Sequence, residues 1–361
     1  MGNVTIDWEG EVKAAFRYEE DRIYLNSAGA GLSWSGQPEA AASYYTELAR
    51  LGSRAQPTWV QRAEEARKIA SRLLRVPANN VMFLRNTSDV INLAANSVTW
   101  HPGDEVVVAD DDFPSVVLPW DQAQRFGGEV IRVHVDSEDD RESSIISRIT
   151  PRTKVVALTH VNAVTGTRVN LDAIGRVCRE VGALFVVDGI EALGAIPVDL
   201  THVDVYGAAV FKWLLSGFGT SIAYFSDRAQ RKLTPAYRGY RNPGEDPGFE
   251  YSDPNYPGLY VLGPTLEHLE SLGWENIYHR VKTLTQQVAA EVEKVGLTPL
   301  TPVDGRAGII SVRLEDAHTV VEKLEDRGID VVQRGGCLRV SPHFYNTAEE
   351  IQSFGAALNA C

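Results

Sequence analysis

Between Asn80 and Tyr224 the chain alternates short β-branched runs with helical patterns, and this alternation limits the fold more than any other feature. Strand-like runs occur at Asn80–Leu84, Glu105–Ala109, Glu129–Val135, Lys154–Thr159, Leu184–Val187, Val203–Val210 and Thr220–Tyr224. Helical patterns precede or separate them at Gln37–Leu51, Thr58–Leu74, Thr87–Val98, Trp120–Phe126 and Leu171–Glu180. Strands separated by helices favour a mainly parallel sheet, here of seven strands, covered by helices on both faces. The expected class is α/β.

After Tyr237 the texture changes. Arg238–Gly258 is rich in Gly, Pro, Tyr and Asp and reads as a long loop. A long helix is expected over Gly263–Val295, broken near Gly273. Strand patterns at Gly308–Arg313 and Gly336–Ser341, with helical patterns at Ala317–Arg327 and Ala348–Leu358, predict a smaller α+β domain. The expected division is an N-terminal segment, 1–25, packing on the small domain; a large domain, 26–245; and a linker helix with the small domain, 246–361.

Composition narrows the function. A chain of 361 residues suits one large domain and a smaller one. A net charge of −13 argues against nucleic acid, which wants clustered Lys and Arg. No apolar run is long enough to span a bilayer. The N-terminus lacks a signal-peptide pattern. Gly2 followed by Thr5 matches a myristoylation start, a reading the rest of the chain does not favour. Three cysteines, Cys178, Cys337 and Cys361, form no CxxC pair and suggest a reducing, cytoplasmic setting. The eight histidines show no HxH or HxxxH spacing, so no metal site is expected.

The chemistry concentrates in Leu184–Gly219, LFVVDGIEALGAIPVDLTHVDVYGAAVFKWLLSGFG. An apolar strand ends in Asp188, and a second is expected to end at Phe211-Lys212-Trp213. An apolar-flanked lysine must snorkel outward, pair with an anion or lose its charge. An acid ahead of such a lysine, each at a strand end, is what a pyridoxal 5′-phosphate (PLP) site needs. The carboxylate keeps the pyridine nitrogen protonated, and the lysine forms the Schiff base and moves the Cα proton.

With these residues in view, the chain resembles the class V aminotransferase and cysteine desulfurase superfamily of PLP fold type I, in its isopenicillin N epimerase-like branch. The strongest pieces are VVDGIEALGAIPVDL, FKWLLSGFG and LRVSPHFYNT, and the likeness runs from Tyr24-Leu25-Asn26-Ser27-Ala28-Gly29 to Arg339–Thr347. The resemblance implies that Asp188 pairs with the pyridine nitrogen and Lys212 holds the cofactor. It implies that Thr87 and Ser88, in the Arg85–Asp89 turn, bind the phosphate at a helix N-terminus. Simple N-capping explains the same two residues, and both readings can hold. Phe113 stands where many relatives have a histidine stacked on the ring; stacking survives but an acid/base group is lost. Arg339 is expected to grip the substrate α-carboxylate and Asn26 to line the substrate pocket. A homodimer is expected.

The pattern also departs from the family. Glu191 replaces an amide that donates toward the cofactor phenolate, and a carboxyl donates only when protonated. Ala209-Val210-Phe211-Lys212 lacks the polar residues of a Ser-x-His-Lys phosphate contact. Ser252-Asp253 replaces a Gly-Thr. Asn162 remains a candidate cofactor contact in a shifted register. Before Arg339, Gly328–Cys337 has no desulfurase-type cysteine loop, and Cys337 reads as packing. Persulfide-forming desulfuration is therefore disfavoured. The leading expectation is a C–S lyase performing β-elimination on an S-substituted cysteine in secondary or thiol metabolism, with the Tyr237–Arg241 loop available for a bulky conjugate. An epimerase, oxidative deaminase or aminotransferase is the alternative, and a non-catalytic binding protein of the same fold comes last.

Overall fold

The computed structural model describes residues 6–19, 21–135, 137–245 and 248–361. Gly2 and Thr5 lie outside them. In chain order the strands are β1 (Ile23–Tyr24), β2 (Val81–Leu84), β3 (Glu105–Ala109), β4 (Glu129–Val133), β5 (Thr153–Thr159), β6 (Leu184–Asp188), β7 (Val205–Ala209), β8 (Ser221–Phe225), β9 (Ile310–Arg313), β10 (Ile329–Asp330), β11 (Val332–Arg334) and β12 (Cys337–Val340).

Seven of them form one sheet in the order β2-β8-β7-β6-β5-β3-β4. β3 to β7 run parallel, and β8 runs antiparallel to both neighbours. β3, β6, β7 and β8 are buried along their whole length, which is why they read as continuous apolar runs without alternation. Helices cover both faces. Val107, Val156, Phe185 and Val187 pack into the core on one face, and Val106, Val108, Val155 and Val186 into the core on the other. Each such side chain contributes about 1.5–3 kcal/mol by leaving water.

A second layer, β11-β12-β9, is antiparallel and packs with the helices Trp274–Lys294 and Ala348–Asn359 around Leu338, Val340 and Phe354. The last of these helices starts with a capping box between Thr347 and Glu350. β1 pairs in parallel with β10, Ile23 opposite Ile329, so the N-terminal segment joins this layer. The expected long helix is two, Tyr256–Leu272 and Trp274–Lys294, parted at Gly273 with φ +82°. The first lies against the helices Gln37–Leu51 and Gln56–Leu74.

Two expected elements differ. The strand expected over Val203–Val210 ends at Ala209, and Lys212 stands in the turn beyond it. The helix expected at Trp120–Phe126 is a 3-10 segment, Leu118–Phe126, with Pro119 in its first turn. β1, β10 and β11 carry no readable period because they are only two or three residues long.

The turn after β3 is set by a buried ion cluster. Arg141 donates to Asp111 at 2.7 and 3.0 Å and to Asp112 at 2.7 Å. Asp112 also accepts the Thr159 N–H at 2.8 Å, joining the ends of β3 and β5. Burial pushes the Asp112 carboxyl up to about 7, against the pull of Arg141. Removing one partner of such a cluster strands the others without water. Arg141→Ala is expected to cost about 3–5 kcal/mol in urea unfolding, and Asp111→Asn clearly less, because Asp111 is partly exposed. Equal losses in both would disprove this ranking.

Candidate active site

One cleft opens along the C-terminal edge of the large sheet, where α/β folds bind ligands. Counting its open mouth, it encloses ≈ 590 Å³. Five strand ends feed it: Asn86–Ser88 after β2, Phe113 after β3, Thr159 and Ala163 at and after β5, Asp188 at the end of β6, and Ala209 to Lys212 after β7. The cleft thus assembles Thr87, Ser88, Phe113, Asp188, Glu191 and Lys212 from the sequence-predicted set.

The turn bearing Lys212 is gripped from several sides. Leu215 takes a left-handed φ of +58°, uncommon for a residue with a branched side chain. Gly31 donates to the Phe211 carbonyl at 2.9 Å, and a Cβ on Gly31 would stand 2.2 Å from the Lys212 carbonyl oxygen. Gly308 lets the Trp213 ring approach to where its Cβ would meet it at 2.6 Å.

Glu191 is the hub of the site. It is buried, and its Oε1 accepts from Lys212 Nζ at 2.6 Å while its Oε2 accepts from Trp213 Nε1 at 3.0 Å. Arg339 Nη1 stands 3.9 Å from the same Oε1. Behind Trp213, the Phe344 N–H donates to His343 Nδ1 at 2.8 Å, which leaves the Nε2 proton to bond the Trp213 carbonyl at 3.1 Å. Burial pulls the His343 imidazole down to about 3, so it stays neutral. Glu191 here is an acceptor, not the donor that the resemblance leads one to expect.

Asp188 is buried, and its Oδ1 accepts the Ile190 N–H at 2.9 Å. Burial pushes this carboxyl up to about 7; the Ile190 bond and Lys212 pull against it. At the other end, Asn86 caps the helix Thr87–Ser97 by accepting the Asp89 N–H at 2.8 Å. The Thr87 hydroxyl accepts the Ala209 N–H at 2.9 Å, and Ser88 bonds Ser115 at 2.8 Å. The Thr87 and Ser88 N–H groups have no protein acceptor among the described residues. They are first-turn donors at the positive end of a helix.

Phe113 is 42% exposed at the cleft, with the Arg334 guanidinium 5.5 Å from its ring centre. Arg339 is buried beside the cleft rather than in its wall. It donates to the Ala163 carbonyl at 2.8 Å and to Asn26 Oδ1 at 3.4 Å, and its Nε is buried without a partner. Burial lowers its pKa, with Glu191 opposing. Asn162 is turned away. Its Oδ1 accepts from Val164 N at 2.8 Å and Thr165 N at 3.0 Å, its amide donates to Asp111, and Ala163 faces the cleft instead. Asp253 accepts from Arg241 at 2.8 Å, and none of Tyr237–Arg241 lines the cleft. Trp213 and His343 escaped the sequence reading of individual roles, although both sit in quoted motifs; no spacing signals a bond made through a backbone carbonyl.

The model of the aminotransferase class V family matches residues 23–354. A "Probable cysteine desulfurase" of Methanothermobacter thermautotrophicus is 27% identical, covering 94% of each chain. Isopenicillin N epimerase of Amycolatopsis lactamdurans is 28% identical, over 81% of this chain and 83% of that one. Two solved structures of a cystine C–S lyase superpose with TM-scores of 0.89 and 0.87 at 22% and 23% identity. They cover 96% and 94% of this chain and 98% of theirs. One carries glycine covalently linked to its PLP cofactor, and the other its product, cysteine persulfide. The structural likeness establishes the fold, PLP fold type I. The chain belongs to the aminotransferase class V family.

The Asp188 shift has a measurable consequence. Its folded-state value near 7 exceeds the usual 3.8, so the unfolded chain loses this proton first as pH rises. Stability is therefore lost between roughly pH 4 and 7. Asp188→Asn removes that loss. In the cofactor-free protein the variant is expected to melt higher than wild type, with little gain at pH 4 and a plateau above pH 7 on the order of a few kcal/mol. A gain independent of pH would refute the assignment.

Proposed function

We propose that this protein is a PLP-dependent C–S lyase that cleaves an S-substituted cysteine by β-elimination. The observation that carries it is the convergence of a buried acid and an amine, Asp188 and Lys212, on one cleft, with the incompletely bonded guanidinium of Arg339 buried beside it. PLP fits these residues. The acid and the lysine face the cleft at one end, and free amides of a helix N-terminus at the other. When bound, PLP is an electron sink for the pair left at Cα after proton removal.

Each residue then has a task. Asp188 holds the proton on the pyridine nitrogen, which a carboxyl in a dry site does at short range. The N–H groups of Thr87 and Ser88 receive the phosphate, while the Thr87 hydroxyl keeps its helix pinned to β7. Phe113 stacks on the ring, and Glu191 stands beside Lys212. Asn162 supports the wall from behind. Arg339, steadied by Asn26 beside the cleft, receives the substrate carboxylate. Lys212 takes the Cα proton, and the Cβ–S bond breaks with its electrons leaving on sulfur as a thiolate.

Two features favour elimination over the alternatives. Phe113 brings no titratable group, and epimerisation needs a second proton donor. A desulfurase needs a thiolate to receive sulfur. Cys337 lies buried in β12 with its thiol pushed up by burial, Cys178 is buried beneath the sheet with its thiol raised to about 12, and the partly exposed Cys361 bonds the Ala357 carbonyl; none of the three lines the cleft. The separate core around Leu338 and the pairing of β1 with β10 support a small C-terminal domain joined by the N-terminal segment, while the helix Tyr256–Leu272 packs on the large domain. A cytoplasmic homodimer in secondary or thiol metabolism is the setting proposed. Its support is three free cysteines and the exposed Leu118, Phe126 and Phe218. No described helix is long and apolar enough to cross a membrane.

Purified protein given cysteine S-conjugates is expected to release pyruvate and thiol in equal amounts. Proton exchange at Cα without pyruvate would instead establish epimerisation, and oxygen uptake oxidative deamination. Lys212→Ala is expected to lose the visible absorbance of bound cofactor. Arg339→Gln should keep that absorbance and lose roughly 10–100-fold in kcat/KM, since a charged bidentate contact is removed.

A further inference from the structure

We infer that Glu191 takes the proton that Lys212 must shed when it captures the cofactor, and then carries it as a neutral carboxyl group. The inference rests on the PLP reading above. An ammonium is not a nucleophile, so Lys212 must lose a proton before its nitrogen can attack an aldehyde. The acceptor in contact is Glu191 Oε1, 2.6 Å away along a bond already formed. Glu191 is 1% exposed, so solvent has no comparable access to that side of the pair. Nor can the carboxyl swing away. Trp213 Nε1 holds Oε2, and His343 holds the Trp213 backbone.

The transfer balances. An N–H bond of Lys212 breaks and an O–H bond forms at Oε1. The freed lone pair attacks the aldehyde carbon. The carbonyl oxygen leaves as water with the two hydrogens remaining on nitrogen. One buried positive and one buried negative charge vanish together, so the net charge is unchanged. The entering group brings its own anionic phosphate and phenolate, beside which a second buried carboxylate charge is costly. Protonated Glu191 becomes a donor, which is the one way this side chain can do what an amide does at the same position. Its neutralisation also releases Arg339, 3.9 Å from Oε1, from a competing charge just when that guanidinium must receive a substrate carboxylate.

Two measurements test this on the intact chain, neither relying on turnover. The first is infrared difference spectroscopy of cofactor-free protein loaded with PLP. A protonated-carboxyl C=O band is expected in wild type, lost in Glu191→Gln and moved in Glu191→Asp. The second is calorimetry of loading in two buffers of different ionisation enthalpy. Wild type should release no net lysine proton on loading, because the proton stays on the chain at Glu191. Visible absorbance on loading with no such band in wild type overturns the inference alone, as does a band that persists in Glu191→Gln. Should Glu191→Gln fail to fold, the wild-type band and its displacement in Glu191→Asp decide. A chain that gains no visible absorbance overturns the cofactor reading, and this inference with it.

Discussion

A lysine placed among apolar side chains needs a counter-charge, and the site is organised around how that need is met. Lys212 stands on a turn between Phe211 and Trp213, and its ammonium meets Glu191 at 2.6 Å. Taking two charges out of water is expensive unless geometry and further bonds offset it. Trp213 supplies the second bond to the carboxylate, and His343 fixes Trp213 from the small-domain side. Arg339 arrives from β12 to within 3.9 Å of the same oxygen. The pair therefore couples elements more than a hundred residues apart in sequence.

The same logic explains why the site is unevenly bonded. Asp188 is kept in a dry place that pushes its carboxyl to about 7, and Arg339 keeps an Nε without a partner. Both cost stability in the ligand-free chain, and both suit a group that arrives later with a ring nitrogen or a carboxylate. By contrast, the supporting polar groups are satisfied: Asp112 between Arg141 and Thr159, Thr87 against Ala209, and Asn162 across its own loop. Rigidity around an incompletely bonded centre is what preorganisation requires.

Much of this was legible in the sequence. All seven strands of the large sheet were: buried strands such as β3, β5, β6 and β7 leave near-continuous apolar runs, and β4, at the edge, shows in its β-branched residues. Asp188, Lys212, Thr87, Ser88 and Phe113 were legible because each closely follows or ends such a run, and strand ends on one edge converge. Asn162 was misplaced relative to the cleft because a shift of one residue in a loop exchanges it with Ala163. Glu191 was noticed as a departure, yet its bond to Lys212 was not, since the two lie on separate strand-end turns whose spacing the sequence does not encode.

The sequence by itself determined the α/β class, the acid at a strand end, the lysine just past one and the arginine in its C-terminal motif. Those follow from local rules: periodicity, strand ends and the chemistry each residue type can do. Only the tertiary structure decided that Glu191, Trp213, His343 and Arg339 form one connected network around the lysine. Ion pairs and hydrogen bonds depend on distances of a few ångströms, and those are fixed by how the sheet edge, the Lys212 turn and the small layer pack together. The lysine marks the chemistry; the buried glutamate beside it, placed by packing alone, is the lysine's counter-charge.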